Sequence, residues 1–265
     1  MTNREKRFWT GAGIVTAEML GTLAVFTAVV SGIVLLIRPR VRKYKRIDLA
    51  IFDKVKPHIN DRNNELMVFF TKLGKHQFLI PANLSLIVFY LFIRKHSWFS
   101  IRVASVAISS LLLMIALKKI FRRKRPLDPV LEKARGLSFP SGHAIMSVTF
   151  YGLIAYILSQ EIKNGPLKTA VIIPLILLMQ AIGLSRVYLR VHYPSDVVAG
   201  HLIGLGWLLT ALKMLKKLEA YNKQKVGQTF LTFATDFWHG GLSNFPILSG
   251  VEMAQSSIPK LISVR

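Results

Sequence analysis

Residues 14–37 read IVTAEMLGTLAVFTAVVSGIVLLI, an apolar run of 24 residues carrying one charge, Glu18. A helix needs about 20 apolar residues to cross a bilayer core, so this run is long enough to span one. It is too long for the apolar core of a secretory leader, although Arg4, Lys6 and Arg7 give it a charged front. It reads as a retained transmembrane helix. An ionisable side chain inside a membrane marks function by default, but one near a helix end reaches water. The position of Glu18, close to the start of the run, favours the second reading.

Five shorter apolar runs follow, over 78–93, 103–117, 144–158, 169–184 and 197–212. Each alone falls short of a full span and would suit a buried helix. Their flanks extend them: 98–103 holds only Arg102 as a charge, and 139–142 holds none. With the long first run and a mean hydropathy of +0.41, they predict an all-α polytopic membrane protein whose six transmembrane helices form one bundle. A soluble helical bundle is the alternative.

The 265 residues suffice for one domain. The expected division is a basic N-terminal segment over 1–13, a membrane domain over 14–218, and a tail over 219–265, interfacial or partly disordered. Within the membrane domain, 38–75 forms a loop that opens with Arg38, Arg40, Arg42, Lys43, Lys45 and Arg46 and continues with amphipathic spacing. Such a segment lies in the headgroup plane and attracts anionic lipid. Pro57 and the polar residues 60–64 are expected to break any helix in its middle.

Lys and Arg number 36 against 13 Asp and Glu, a formal net charge of +23, yet 52% of residues are hydrophobic. A soluble nucleic-acid binder accounts for the charge but not for the apolar excess. A disordered basic chain is excluded by the same excess. Cysteine is absent, which removes disulfides, thiolate metal sites and a cysteine nucleophile.

Three polar clusters stand at span boundaries: KKIFRRKRP at 118–126, FPSGH at 139–143 and SRVYLRVHYPSD at 185–196. In a serpentine of helices, the end of the third span, the start of the fourth, the end of the fifth and the start of the sixth share one membrane face. The clusters therefore converge. Lys118, Arg125 and Arg186 supply cationic donors suited to phosphate oxygens. Ser141 and Gly142 precede a helix whose first N–H groups are free to bind an anion. The two histidines, His143 and His192, can between them supply a nucleophile and a general acid, and Asp196, four residues after His192, can orient its ring. A metal fits poorly: cations crowd the site and carboxylates are few. The expectation is a reaction without metal or other cofactor.

These residues resemble the three signature motifs of the type 2 phosphatidic acid phosphatase (PAP2) superfamily. K-x6-R-P, P-S-G-H and S-R-x5-H-x3-D match at all eleven specified positions, over 118–196. The resemblance implies a membrane lipid phosphatase. It implies that His192 attacks phosphorus to form a phosphohistidine, that Asp196 holds His192, and that His143 protonates the leaving group. Lys118, Arg125, Ser141, Gly142 and Arg186 then bind the phosphate. Substrates of this kind include phosphatidic acid, phosphatidylglycerol phosphate, polyprenyl diphosphates and lipid A phosphates. A phosphotransferase with the same site is an alternative. A non-catalytic anionic-lipid binder or transporter is another, though binding alone needs no oriented nucleophile.

Lys119, Arg122, Arg123 and Lys124 read as a membrane flank, His201 as a core histidine, and Tyr188, Tyr193 and Trp207 as interface aromatics. Sidedness is contested. The site face carries 21 of the Lys and Arg and the opposite face 15. By the positive-inside rule that places the site in the cytoplasm, whereas the resemblance implies the outer face of the cell membrane.

Overall fold

The computed structural model describes residues 44–131 and 136–241, with a few positions between 28 and 35. The run at 14–37 with Glu18, the basic segment 1–13 and residues 242–265 thus lie largely or wholly outside the described residues. Every regular element described is helical: α1 (Lys45–Val55), a short 3-10 turn (Lys56–His58), α2 (Asp61–Leu73), α3 (His76–Val88), α4 (Ser97–Phe121), α5 (Gly142–Glu161), α6 (Gly165–Tyr188) and α7 (Pro194–Gly241). The chain divides into two compact units, Met1–Lys213 and Met214–Arg265.

Five helices are long and apolar enough to cross a membrane: His76–Ile93, Trp98–Phe121, Gly142–Glu161, Gly165–Tyr188 and Pro194–Ala220. Each contains one of the five shorter runs; four extend it at both ends and His76–Ile93 at its start only. Their outward faces carry exposed Ile80, Leu84, Phe92, Ile108, Leu177 and Leu202. Spread over four of the five spans, such side chains would be untenable in water and match a hydrocarbon solvent, while the remaining one, Gly142–Glu161, is enclosed by the others. The alternative of a soluble bundle is thereby set aside, and the chain is an integral membrane protein.

Inside, α5 is the central element, packed on α4 and α6. Leu113 and Leu117 of α4, Phe139 and Ile145 at the start of α5, and Ala199, Ile203 and Trp207 of α7 form one buried cluster, with Val29 packed against it. Trp207 is buried and its indole N–H donates to Ser109 Oγ at 3.0 Å. It joins α7 to α4 and is not an interface aromatic. His201 is a core residue as expected, its ring nitrogens facing Val197 O at 3.0 Å and Met179 O at 3.1 Å.

The segment after the first run is more ordered than its composition suggests. Asn60 does not break a helix; it starts one, its side chain accepting the Asn63 N–H at 2.9 Å as the cap of α2. Helix α2 packs along α6. Tyr188, at the end of α6, is buried. Its hydroxyl accepts from Asn60 N and donates toward His58 O or Asn64 Oδ1. This residue, also expected at the interface, ties α1 and α2 down as a cover over the ends of α5, α6 and α7.

Candidate active site

The covered end of the bundle gathers all three clusters. Helix α4 stops where Arg122 takes a left-handed conformation (φ 48°) and its N–H closes on Lys118 O. The chain then leaves the axis and carries Arg123 and Arg125 across the site. Helix α5 starts at Gly142, and the Ser141 N–H bonds Asp196 O at 3.1 Å, coupling the second cluster to the third. After α6, the N–H groups of Val191 and His192 both return to Arg186 O at 3.2 Å. This pins His192 beneath the helix end. Pro194 opens α7, and the Asp196 carboxylate accepts the Tyr193 N–H at 3.0 Å, as an acid in the first turn caps a helix.

His192 and Asp196 are 1% and 0% exposed. The Arg125 guanidinium lies 3.1 Å from His192 Nε2. Arginine only donates, so Nε2 carries the lone pair and the ring proton resides on Nδ1. Nδ1 faces Asp196 Oδ2 at 3.6 Å, too long for a direct bond, and Ser138 Oγ approaches both from the side. That hydroxyl is 3.5 Å from Nδ1 and donates to Asp196 Oδ2. Burial pushes the His192 pKa down to about 4; Asp196 opposes the shift and Arg125 adds to it. The imidazole is therefore neutral near pH 7. Arg125 is also held by Gly136 O at 3.1 Å and Val191 O at 2.7 Å; burial lowers its pKa and Asp196 partly restores it.

Lys118 Nζ donates to Leu137 O at 2.7 Å. Arg186 Nη1 donates to Thr71 Oγ1 at 3.1 Å, and Thr71 in turn bonds Ser185 Oγ, so α2 orients this cation. Ser141 Oγ, His143 Nε2 and Arg186 Nε are buried and bond no protein atom among the described residues. Such orphaned groups are costly unless they serve a ligand. The backbone is close as well: a Cβ on Gly142 would lie 2.6 Å from Met114 Sδ and 3.8 Å from Lys118 Cε. A side chain at this position would displace the Met114 sulfur, while Lys118 stands at van der Waals distance from the first turn of α5. Lys118, Arg125, Gly142, His143 and His192 all line one cavity of about 450 Å³, which continues as an apolar corridor between α3 and α4. Among the described residues, no group of three His, Asp or Glu is placed to hold a metal ion.

Arg123 is not a headgroup flank. Its guanidinium forks, Nη1 donating to Asp196 Oδ1 at 2.6 Å and to Ser195 Oγ at 2.8 Å, and Nη2 to Asp48 Oδ2 at 2.7 Å. It also lies 4.0 Å over the Tyr193 ring. Asp48, 1% exposed on α1, accepts both the N–H and the hydroxyl of Ser195. Burial raises the Tyr193 pKa, with Arg123 countering. Asp48, Thr71, Arg123, Ser138 and Ser195 thus support the site, and reading the sequence finds none of them. Each stands outside the motif positions, and their pairings cross long separations.

Comparison with known proteins agrees with this geometry. The sequence model of the PAP2 superfamily matches residues 98–220. The chain is 35% identical over 146 residues to phosphatidylglycerophosphatase B of Bacillus subtilis, covering 54% of this chain and 70% of that protein. It is 31% identical over 151 residues to an undecaprenyl-diphosphatase of Sulfolobus acidocaldarius, covering 55% and 66%. The crystal structure of a transmembrane PAP2-type phosphatidylglycerolphosphate phosphatase from Bacillus subtilis superposes with a TM-score of 0.61 at 28% identity, over 75% of this chain and 96% of that one. With the three motifs folded around His192 and His143 at one cavity, this chain belongs to the PAP2 superfamily, in its membrane lipid phosphatase branch.

Proposed function

We propose that the protein hydrolyses a phosphate or diphosphate group from a membrane lipid through a covalent phosphohistidine, without metal. One observation carries this reading. His192 Nε2, held as a lone-pair donor, and His143 Nε2, without a partner among the described residues, belong to side chains that line a single cavity, cationic at one end and apolar at the other. The lipid chain enters between α3 and α4. Its phosphate draws the Arg125 guanidinium from Nε2 onto its oxygens, joined by Lys118, Arg186, Ser141 and the N–H groups of the α5 start. The freed Nε2 attacks phosphorus as the P–O bond to the leaving group breaks, and His143 delivers a proton to the departing oxygen. Asp196 and Ser138 stabilise the charge that develops on the ring through Nδ1. A water deprotonated by His143 then attacks phosphorus, the N–P bond breaks, and inorganic phosphate leaves.

The test is phosphate release by the detergent-purified protein in the presence of a chelator. His192→Ala is expected to abolish it, and full activity in that variant would end the proposal. We place the site on the outer face of the cell membrane. Arg123 and Arg190 are engaged within the fold, Arg190 donating to Phe52 O and lying over the Phe52 ring. Discounting them and the three phosphate cations leaves the two faces almost balanced in charge, so the positive-inside rule no longer opposes this placement.

A further inference from the structure

Resting on the hydrolytic reading above, we infer that the turn Gly74-Lys75-His76, between α2 and α3, is a leaving-group subsite that selects lipid diphosphates over lipid monophosphates. The turn is pressed against the acid of the proposed reaction. A Cβ built on Gly74 would stand 3.1 Å from His143 Cδ2, the ring atom bonded to Nε2, and 2.5 Å from Ile182 Cγ2. A side chain here would have to displace Ile182 or the His143 ring, so the turn packs closely on that ring at Gly74.

The next two residues are basic. His76 lines the cavity together with His143 and His192, and Lys75 is among the charges that act on His143. Neither side chain makes a hydrogen bond or ion pair among the described residues, and this turn supplies none of the groups that touch His192.

The chemistry of the leaving group gives these residues a role. Attack by His192 on one side of phosphorus expels the group on the His143 side. From a monophosphate lipid that group is an alkoxide, which needs a single proton and then leaves neutral. From a diphosphate lipid it is a lipid monophosphate, which carries between one and two negative charges near pH 7. The N–P bond forms to the terminal phosphorus, the bridging P–O bond breaks, and its electron pair stays on the departing phosphate. Positive groups placed where that charge collects stabilise the transition state. For a neutral alcohol they contribute little. Lys118, Arg125 and Arg186 already serve the transferred phosphoryl group, so the Lys75 ammonium, with the His76 ring as a hydrogen-bonding partner, fits a second phosphate beside His143.

The experiment compares kcat/KM of the full chain on farnesyl diphosphate and farnesyl monophosphate in neutral detergent micelles. Wild type is expected to favour the diphosphate. Lys75→Gln/His76→Gln should lower kcat/KM on the diphosphate about tenfold or more, the scale of a lost charge-assisted contact, and change the monophosphate rate less than threefold. Lys75→Arg should retain the preference. Lys75→Gln alone, which removes the charge of a side chain without partners among the described residues, gives the same reading with less demand on folding. Equal losses on both substrates, or no loss on the diphosphate, would overturn the subsite. So would a loss seen only in anionic vesicles, because it assigns the cations to bilayer headgroups. A wild-type protein that releases phosphate from neither lipid overturns the hydrolytic reading itself.

Discussion

Arg123 shows what a single residue's surroundings decide. It sits within KKIFRRKRP after an apolar helix, where a run of cations ordinarily marks the membrane edge. In the fold it meets Asp48, 75 residues earlier, and Asp196, 73 residues later. Removing one partner of a buried ion pair leaves an uncompensated charge at a cost of about 3–5 kcal/mol. Asp48→Asn and Arg123→Gln are therefore expected to lower the thermal unfolding midpoint sharply in detergent, and to lower activity as Asp196 loses its fixed orientation. Unchanged melting in both would show the network to be inert. His192 makes a second prediction. Its pKa of about 4 lies below the ordinary value near 6.5. Between these values the unfolded chain binds a proton that the folded protein does not, so stability falls as pH drops from 6.5 to 4, by about 1.4 kcal/mol per pH unit. Melting curves across that window measure it. The acid limb of kcat/KM, which reports the free enzyme, should have its midpoint near 4. A midpoint at 6.5 would mean an unshifted nucleophile.

At the scale of elements, helix positions were more legible than helix roles. The apolar runs marked five described spans, because in a bilayer hydropathy and secondary structure report the same constraint. The segment over 38–75 was misread in its middle because Asn60 is a breaker inside a helix and a cap at its start, and composition alone cannot choose. The closeness of α4 to α5 also belongs to this scale. Gly142→Ala forces the Met114 sulfur to move from the first turn of α5. The expected cost is about 1–3 kcal/mol of stability, as for other overpacked contacts, with weaker phosphate binding if the displaced Met114 crowds the cavity it lines. Met114→Ala in the same chain should restore both. Failure of that rescue would place the strain elsewhere.

For the whole molecule, a charge of +23 on an apolar chain resolves into distinct uses. Three cations face the proposed phosphate, Arg123 and Arg190 are spent inside the fold, and many others flank the helices. The outer-face placement predicts that a reporter active only in the cytoplasm works after Ile162 and is silent after Arg135. Activity after Arg135 would reverse the topology.

The sequence by itself determined that this is a membrane protein and which eleven positions carry the phosphatase signature. Both are written in local patterns: hydropathy over one helix length, and residue types at short fixed spacings. It also determined, by counting spans, that the three motifs share a face. Only the tertiary structure decided which groups hold the motif residues in place. Asp48, Thr71, Arg123 and Ser138 act through bonds that span up to 147 residues of chain, and no local pattern encodes such a pairing. Burial too is a property of the packed bundle, and burial is what makes His192 a neutral base, as its pKa near 4 reflects.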